Sequence, residues 1–199
     1  MIEKPKQKPS RVGMYGGTFD PIHTGHLITA QYILEIRNLD KIIFIPAFIS
    51  PHKTQVQSCE STHRLQMAKL AVEDHKKFEL SDYEIKKGGI SYTIDTLQEL
   101  KNIYDNVELI IGFDNLLSFD AWHKPDDIIQ LVKLLVLKRK TSVSSNQFNK
   151  YFSEAIFIDS PTIDISSTEI RNRVKKNLPI DFLVPHKVKE YIETNNLYK

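Results

Sequence analysis

RVGMYGGTFDPIHTGHLITAQYILEIR, residues 11–37, passes from a short apolar run through a glycine pair and a turn into a helical pattern. RVGMY has the make-up of a buried strand. Gly16 and Gly17 lack a Cβ, so the backbone leaving that strand can take unusual dihedrals and approach a ligand closely. Asp20 and Pro21 mark a turn. Thr24 is placed to cap a helix over residues 26–37, with Gly25 and His26 in its first turn, where unpaired N–H groups and the helix dipole favour an anion. That positive end disfavours imidazolium and a bound phosphate favours it, so His23 and His26 should gain charge mainly when phosphate arrives. Glycine turns after strands are common and histidine pairs at this spacing are usually structural, which leaves a packed turn and an anion cradle both open.

Outward from this stretch the pattern repeats. KIIFIPA (41–47), VELIIG (107–112), KLLVLK (133–138) and EAIFID (154–159) are apolar runs suited to strands buried on both faces of a parallel sheet. Helical patterns over residues 61–75, 93–104 and 126–131 separate them, and ISSTEIRNRV and VPHKVKEYIETNNLY predict two closing helices. Strand and helix in alternation predict an α/β fold, a doubly wound parallel sheet with helices on both faces and a helical C-terminal end. MIEKPKQKPS, residues 1–10, reads as a flexible tail, and residues 11–199 as a single domain without internal repeats.

With 199 residues and 41% hydrophobic content the chain can bury one substantial core. No apolar run approaches the roughly 18 residues of a membrane span, the first residues do not resemble a secretory leader, and the lone cysteine, Cys59, can form no internal disulfide, so a cytoplasmic protein is expected. A net charge of +2 gives no sign of a nucleic-acid or membrane partner and suits small anions. The sequence sets no oligomeric state. His52, Cys59 and His63 are candidate metal ligands, but their spacing matches no zinc motif. Neither GxxxxGK[ST] nor GxGxxG is present.

A second stretch, DISSTEIRNRV (164–174), bears on the first. Ser166 and Glu169 form a capping-box pattern, and Ile165 with Ile170 has the placement of a hydrophobic staple. The helix start makes another anion site, with Arg171 one turn in, able to fork onto phosphate oxygens. A capped surface helix with a solvated arginine is the plain reading; two phosphate-suited helix starts in one small α/β domain favour the other.

GGTFDPIHTGH resembles the T/HxGH region of the nucleotidyltransferase superfamily, and ISSTEIR resembles its ISSTxxR motif. SPHK (50–53), GGISYTIDTL (88–97), IIGFDNLLSFDAW (110–122) and LVPHKVKEYIETNNLY are similar to the bacterial nicotinate-nucleotide adenylyltransferases. The resemblance implies a Rossmann-like fold and transfer of the adenylyl group of ATP to nicotinate mononucleotide, with Mg²⁺ carried on ATP and no covalent enzyme intermediate. It also implies that His23, His26 and Arg171 are catalytic, and that Gly16, Gly17, Thr18, Phe19, Gly25, Ile165, Ser167 and Thr168 surround the ATP phosphates. Nicotinate mononucleotide would fall to Lys53, Thr93, Ile94, Gly112, Asp114, Trp122, His123 and Arg139. Trp122, the sole tryptophan, offers a face for the pyridine ring, and Thr93, as a helix cap, would bring its own amide and that of Ile94 to the carboxylate. Asp114 is placed for a ribose hydroxyl or for the Mg²⁺ shell; Phe113 either crowds the pocket or packs inward. The rival readings are nicotinamide mononucleotide or pantetheine-phosphate adenylyltransferase, and a non-catalytic nucleotide-binding sensor.

Overall fold

A computed structural model describes residues 11–51, 58–138 and 149–199. Six strands form one parallel sheet: β1 (Arg11–Gly17), β2 (Lys41–Pro46), β3 (Phe78–Leu80), β4 (Asn106–Gly112), β5 (Lys133–Leu137) and β6 (Ala155–Ile158). Their order is β3-β2-β1-β4-β5-β6. The chain builds outward from β1 in one direction, then crosses back to lay β4 on its other side, so strand order reverses between β1 and β4. Register is fixed there by the pairing of Met14 with Leu109 and of Tyr15 with Ile110.

The helices are α1 (Thr24–Ile36), α2 (Ser61–Val72), α3 (Tyr83–Lys87), α4 (Thr93–Ile103), α5 (Phe113–Leu117), α6 (Pro125–Leu131), α7 (Ser167–Lys175) and α8 (His186–Thr194). Strand periodicity divides the core in two. Ile42 and Phe44 of β2 and Ile110 of β4 pack under α1, α2, α7 and α8, whereas Ile43, Ile45, Leu109 and Ile111 pack under α4 and α6. Each strand therefore needs apolar residues at consecutive positions, the pattern read from the sequence. Among the described residues no helix is long and apolar enough to cross a membrane.

The sheet and its alternation agree with expectation, and several boundaries do not. β3, α3 and α5 were not expected; at three to five residues each they are too short for a periodic signal. The helix expected over residues 61–75 ends at Val72, and the one expected from residue 26 begins at Thr24. Phe113 packs inward, against the α4/α6 side of the core and edge-on to Phe152 with centroids 5.9 Å apart. The expected tail, residues 1–10, lies outside the described residues.

Candidate active site

The carboxyl ends of β1 and β4 open into a cleft of about 840 Å³ at the point where strand order reverses, the position at which open α/β sheets bind ligands. One end is built by the turn after β1. Its unusual dihedral lies at Phe19, with φ of 47°, and not at Gly16 or Gly17 as expected. Gly17 is needed for space: a Cβ there would meet the Phe19 ring at 3.1 Å. Gly16, Gly17, Thr18, Phe19, His23 and His26 all line the cleft.

His23, not Thr24, is the N-cap of α1. Thr24 opens the helix, and its hydroxyl donates instead to the Phe182 carbonyl at 2.9 Å, a tertiary partner invisible to local cap statistics. The His23 N–H donates to Nδ1 of His26 at 3.2 Å, which makes His26 the group that satisfies the helix start. Since Nδ1 accepts, the neutral His26 ring carries its proton on Nε2. The two imidazoles stack with centroids 3.6 Å apart, and the His26 ring stands edge-on to Phe19 at 5.1 Å. His23 is 7% exposed, and burial pushes its pKa down to about 4. Among the described residues its Nδ1 is buried without a hydrogen-bond partner. Gly25 does not line the cleft; a Cβ there would come within 3.1 Å of that Nδ1 and 3.3 Å of Ile163, so it makes room for the His23 ring over the helix start.

α7 faces the same space. Ser166 is its N-cap and accepts from the Glu169 N–H at 3.1 Å, as the capping pattern predicts. Ile170 is buried and Ile165 packs beside the same core, consistent with the staple. Ser167 Oγ donates to the Pro21 carbonyl at 2.8 Å, and Arg171 Nη1 to the Asp20 carbonyl at 2.8 Å, tying the second helix start to the turn that precedes the first. Ile165, Ser167, Thr168 and Arg171 line the cleft with His23 and His26. A single space thus receives two helix openings, two imidazoles and a guanidinium, an arrangement suited to a polyphosphate.

The far end is built by α4 and the segment after β4. Tyr92, not Thr93, is the α4 N-cap, which leaves Thr93 as the first helical residue with its N–H among the unpaired group at the opening. Thr93, Gly112, Asp114, Trp122 and His123 line the cleft, whereas the Ile94 side chain is buried in the core and only its main chain belongs to the helix opening. Trp122 packs on Phe119 with centroids 5.0 Å apart, and His123 lies against Tyr92 at 4.4 Å. Lys53 and Arg139 lie outside the described residues, as does His52 of the suggested metal set. His63 pairs through Nδ1 with Tyr191 Oη at 2.8 Å, and among the described residues no three His, Cys, Asp or Glu side chains gather to hold a metal ion.

Five polar residues in and beneath the cleft lining were missed. Arg64 of α2 is 1% exposed and donates to the carbonyls of Thr18, Ala47, Phe48 and Cys59 at 2.6–3.0 Å. It holds the turn after β1 against the loop after β2. The Phe48 N–H then donates to Ser91 Oγ at 2.9 Å, and Thr96 Oγ1 donates to Glu84 at 2.7 Å. Burial pushes the Glu84 pKa up, with hydrogen bonds from Thr96 and Ser91 opposing it. This chain of bonds, part-buried along most of its course, runs from the phosphate end to the α4 opening. Arg64 was legible as a charge on the apolar face of α2, where Met67, Ala68 and Val72 share its side; Glu84 and Ser91 carry no comparable signal. Asp20 is the fifth, 6% exposed at the cleft edge.

The cytidylyltransferase-like family profile matches residues 14–173. The nicotinate-nucleotide adenylyltransferase of Bacillus subtilis is 39% identical over 191 residues, covering 95% of this chain and 98% of the relative. A Caldicellulosiruptor bescii protein named "Probable nicotinate-nucleotide adenylyltransferase" is 41% identical over 195 residues, covering 95% and 99%. Among solved structures, Plasmodium falciparum nicotinic acid mononucleotide adenylyltransferase complexed with NaAD shares the fold at a TM-score of 0.75, with 20% identity over 95% of this chain and 97% of that one. With the profile spanning both helix openings and the relatives matching nearly end to end, the chain belongs to the cytidylyltransferase-like family and, within it, to the nicotinate-nucleotide adenylyltransferases.

Proposed function

We infer that the protein transfers the adenylyl group of ATP to nicotinate mononucleotide, giving nicotinate adenine dinucleotide and pyrophosphate for NAD biosynthesis. The observation that carries this reading is the single cleft: two helix starts with His23, His26 and Arg171 at one end, and the α4 opening with Trp122 at the other.

The mononucleotide phosphate attacks the α-phosphorus of ATP in line, the P–O bond to the β-phosphate breaks, and pyrophosphate leaves with the electron pair. The enzyme's share is positioning and charge stabilisation. His26, its proton on Nε2, donates to oxygens at the reacting phosphorus. His23 is neutral in the free enzyme and becomes imidazolium against phosphate, so part of its charge is supplied only when substrate is present. Thr18, Phe19, Ser167 and Thr168 offer main-chain contacts, and Arg171 grips the β- and γ-phosphates. At the far end, the amides opening α4 receive the nicotinate carboxylate, and Trp122 stacks on the pyridine. A neutral carboxamide gains less from a helix opening, which favours the acid over nicotinamide mononucleotide.

Mg²⁺ is carried on the ATP phosphates. Among the described residues three carboxylates line the cleft, Asp20, Glu84 and Asp114; Asp20 accepts from Tyr198 and Glu84 from Thr96, and Asp114 is the side chain that would hold an ion arriving with most of its waters on the ATP phosphates. Bound there, it would neutralise charge on the leaving pyrophosphate. The cytoplasm, which holds ATP and mononucleotides, is the expected compartment.

Pyrophosphate release from ATP with each acceptor tests the reading. Rapid release with nicotinate mononucleotide is expected. Release only with nicotinamide mononucleotide or phosphopantetheine would replace the substrate, and nucleotide binding without release would make the protein a sensor.

A further inference from the structure

The Asp20 carboxylate has no part in the scheme above, yet it is 6% exposed at the phosphate end of the cleft. A buried anion beside a triphosphate opposes binding unless it does something else. Its Oδ1 accepts from Tyr198 Oη at 2.8 Å and its Oδ2 from the Cys59 N–H at 3.4 Å. Oδ2 also lies 3.9 Å from Arg171 Nη1, which donates to the Asp20 main-chain carbonyl at 2.8 Å. Arg171 Nη2 completes the arrangement at 3.3 Å from Thr168 Oγ1. The other charge that feels Asp20 is the buried guanidinium of Arg64.

Tyr198 follows α8, with φ of 64° and its ring against the core beside the buried Leu197. Burial and then the neighbouring Asp20 push its pKa far up, so the phenol remains a donor at any working pH. A free arginine side chain samples many rotamers, and ordering it only when substrate arrives weakens the contact it makes.

We propose that Asp20 and Tyr198 are positioning residues for Arg171: Tyr198 fixes the carboxylate, Asp20 fixes the guanidinium, and Arg171 meets the β- and γ-phosphates already ordered. Neither residue touches substrate. The proposal rests on the reading of Arg171 as the grip on the leaving pyrophosphate. It also gives a task to the segment beyond α8, which would otherwise serve only to close the core.

Tyr198→Phe keeps the ring and deletes the hydroxyl. The loss of one well-placed hydrogen bond should lower kcat/KM for ATP about three- to tenfold while KM for nicotinate mononucleotide stays within about twofold. Asp20→Asn still accepts from Tyr198 but lacks the charge, and should give a similar loss confined to ATP. In an Arg171→Ala background both substitutions should have almost no further effect, because the residue through which they act is gone. Equal factors in both backgrounds, no loss on the wild-type background, or equal losses for ATP and the mononucleotide would each overturn the proposal. If Arg171→Ala alone leaves ATP turnover intact, the assignment of Arg171 itself falls and the proposal with it, a failure visible in that single variant.

Discussion

Between pH 4 and 6.5 a buried histidine sets a tax on the folded state, and His23 is placed to show it. Its pKa is pushed down to about 4 by burial, against about 6.5 for an unfolded histidine. In that window the unfolded chain binds more protons, so stability rises with pH: the contribution is complete above the unfolded value and is lost as pH falls toward the folded one. The full swing is roughly 3 kcal/mol. Urea midpoints at pH 7 and pH 5 should therefore drop for the wild type and drop less for His23→Asn; equal drops would remove His23 as the cause. His26 is different because it is half-buried and caps α1 with its own ring. His26→Ala should cut kcat by about 10² to 10³ while leaving a folded protein, as read by pyrophosphate release beside circular dichroism. That both histidines stand at a helix start was legible from the succession of strand, glycine turn and helical pattern. The cap was not legible: Thr24 has the right chemistry, but Phe182, 158 residues away, takes its hydroxyl.

The helix starts are the elements on which the proposed chemistry rests, and their neighbours hold them in place. Ser166 caps α7 as its sequence dictates, since the acceptor and the N–H it serves are three residues apart. α4 escaped the same logic, because Tyr92 occupies the cap and the opening is held by Ser91, whose hydroxyl accepts from Phe48 and whose N–H donates to Ile49. That support is tertiary, so no local pattern announces it. Arg64 is the strongest example. It sits on the α2 face that buries Met67, Ala68 and Val72, and its guanidinium serves four carbonyls of the loops around the cleft. Desolvation by burial lowers its pKa, yet it stays charged, being an arginine. Arg64→Met fills the volume and leaves those carbonyls unpaired, for which a loss of about 3–5 kcal/mol is expected. Denaturant titration should show the midpoint falling with an unchanged slope. A loss below about 1 kcal/mol would mean that water replaces the guanidinium and that the loops do not need it.

At the scale of the whole molecule the sheet separates the foundation from the chemistry. Apolar runs at β-α-β spacing made the parallel sheet legible, but not its order, because strand neighbours follow from which crossovers turn back, and no residue in β1 names its partners. The order matters, since it puts the ends of β1 and β4 side by side and creates the cleft between them. The amino end of the same strands carries a different feature. Glu108 of β4, 3% exposed, accepts from Arg11 at 2.8 Å and from Arg37 at 2.9 and 3.0 Å, joining β1, the end of α1 and β4. Burial pushes its pKa up, but the hydrogen bonds from Arg37 and Arg11 outweigh that and hold it below the usual carboxylate range. A depressed acid stabilises above its unfolded pKa and loses that contribution as pH falls through the folded value, so this end of the sheet should loosen in acid. Four steps of extended strand, about 13 Å, separate Glu108 from Gly112 at the cleft. Glu108→Gln removes the charge that the two arginines share while keeping the shape. It should lower the urea midpoint by the equivalent of about 2–3 kcal/mol and leave KM for ATP and for nicotinate mononucleotide, and kcat per folded molecule, unchanged within about twofold. A shift in either KM well beyond that range would show that strain at the foot of β4 reaches the cleft, and that the sheet is not the rigid divider its packing implies.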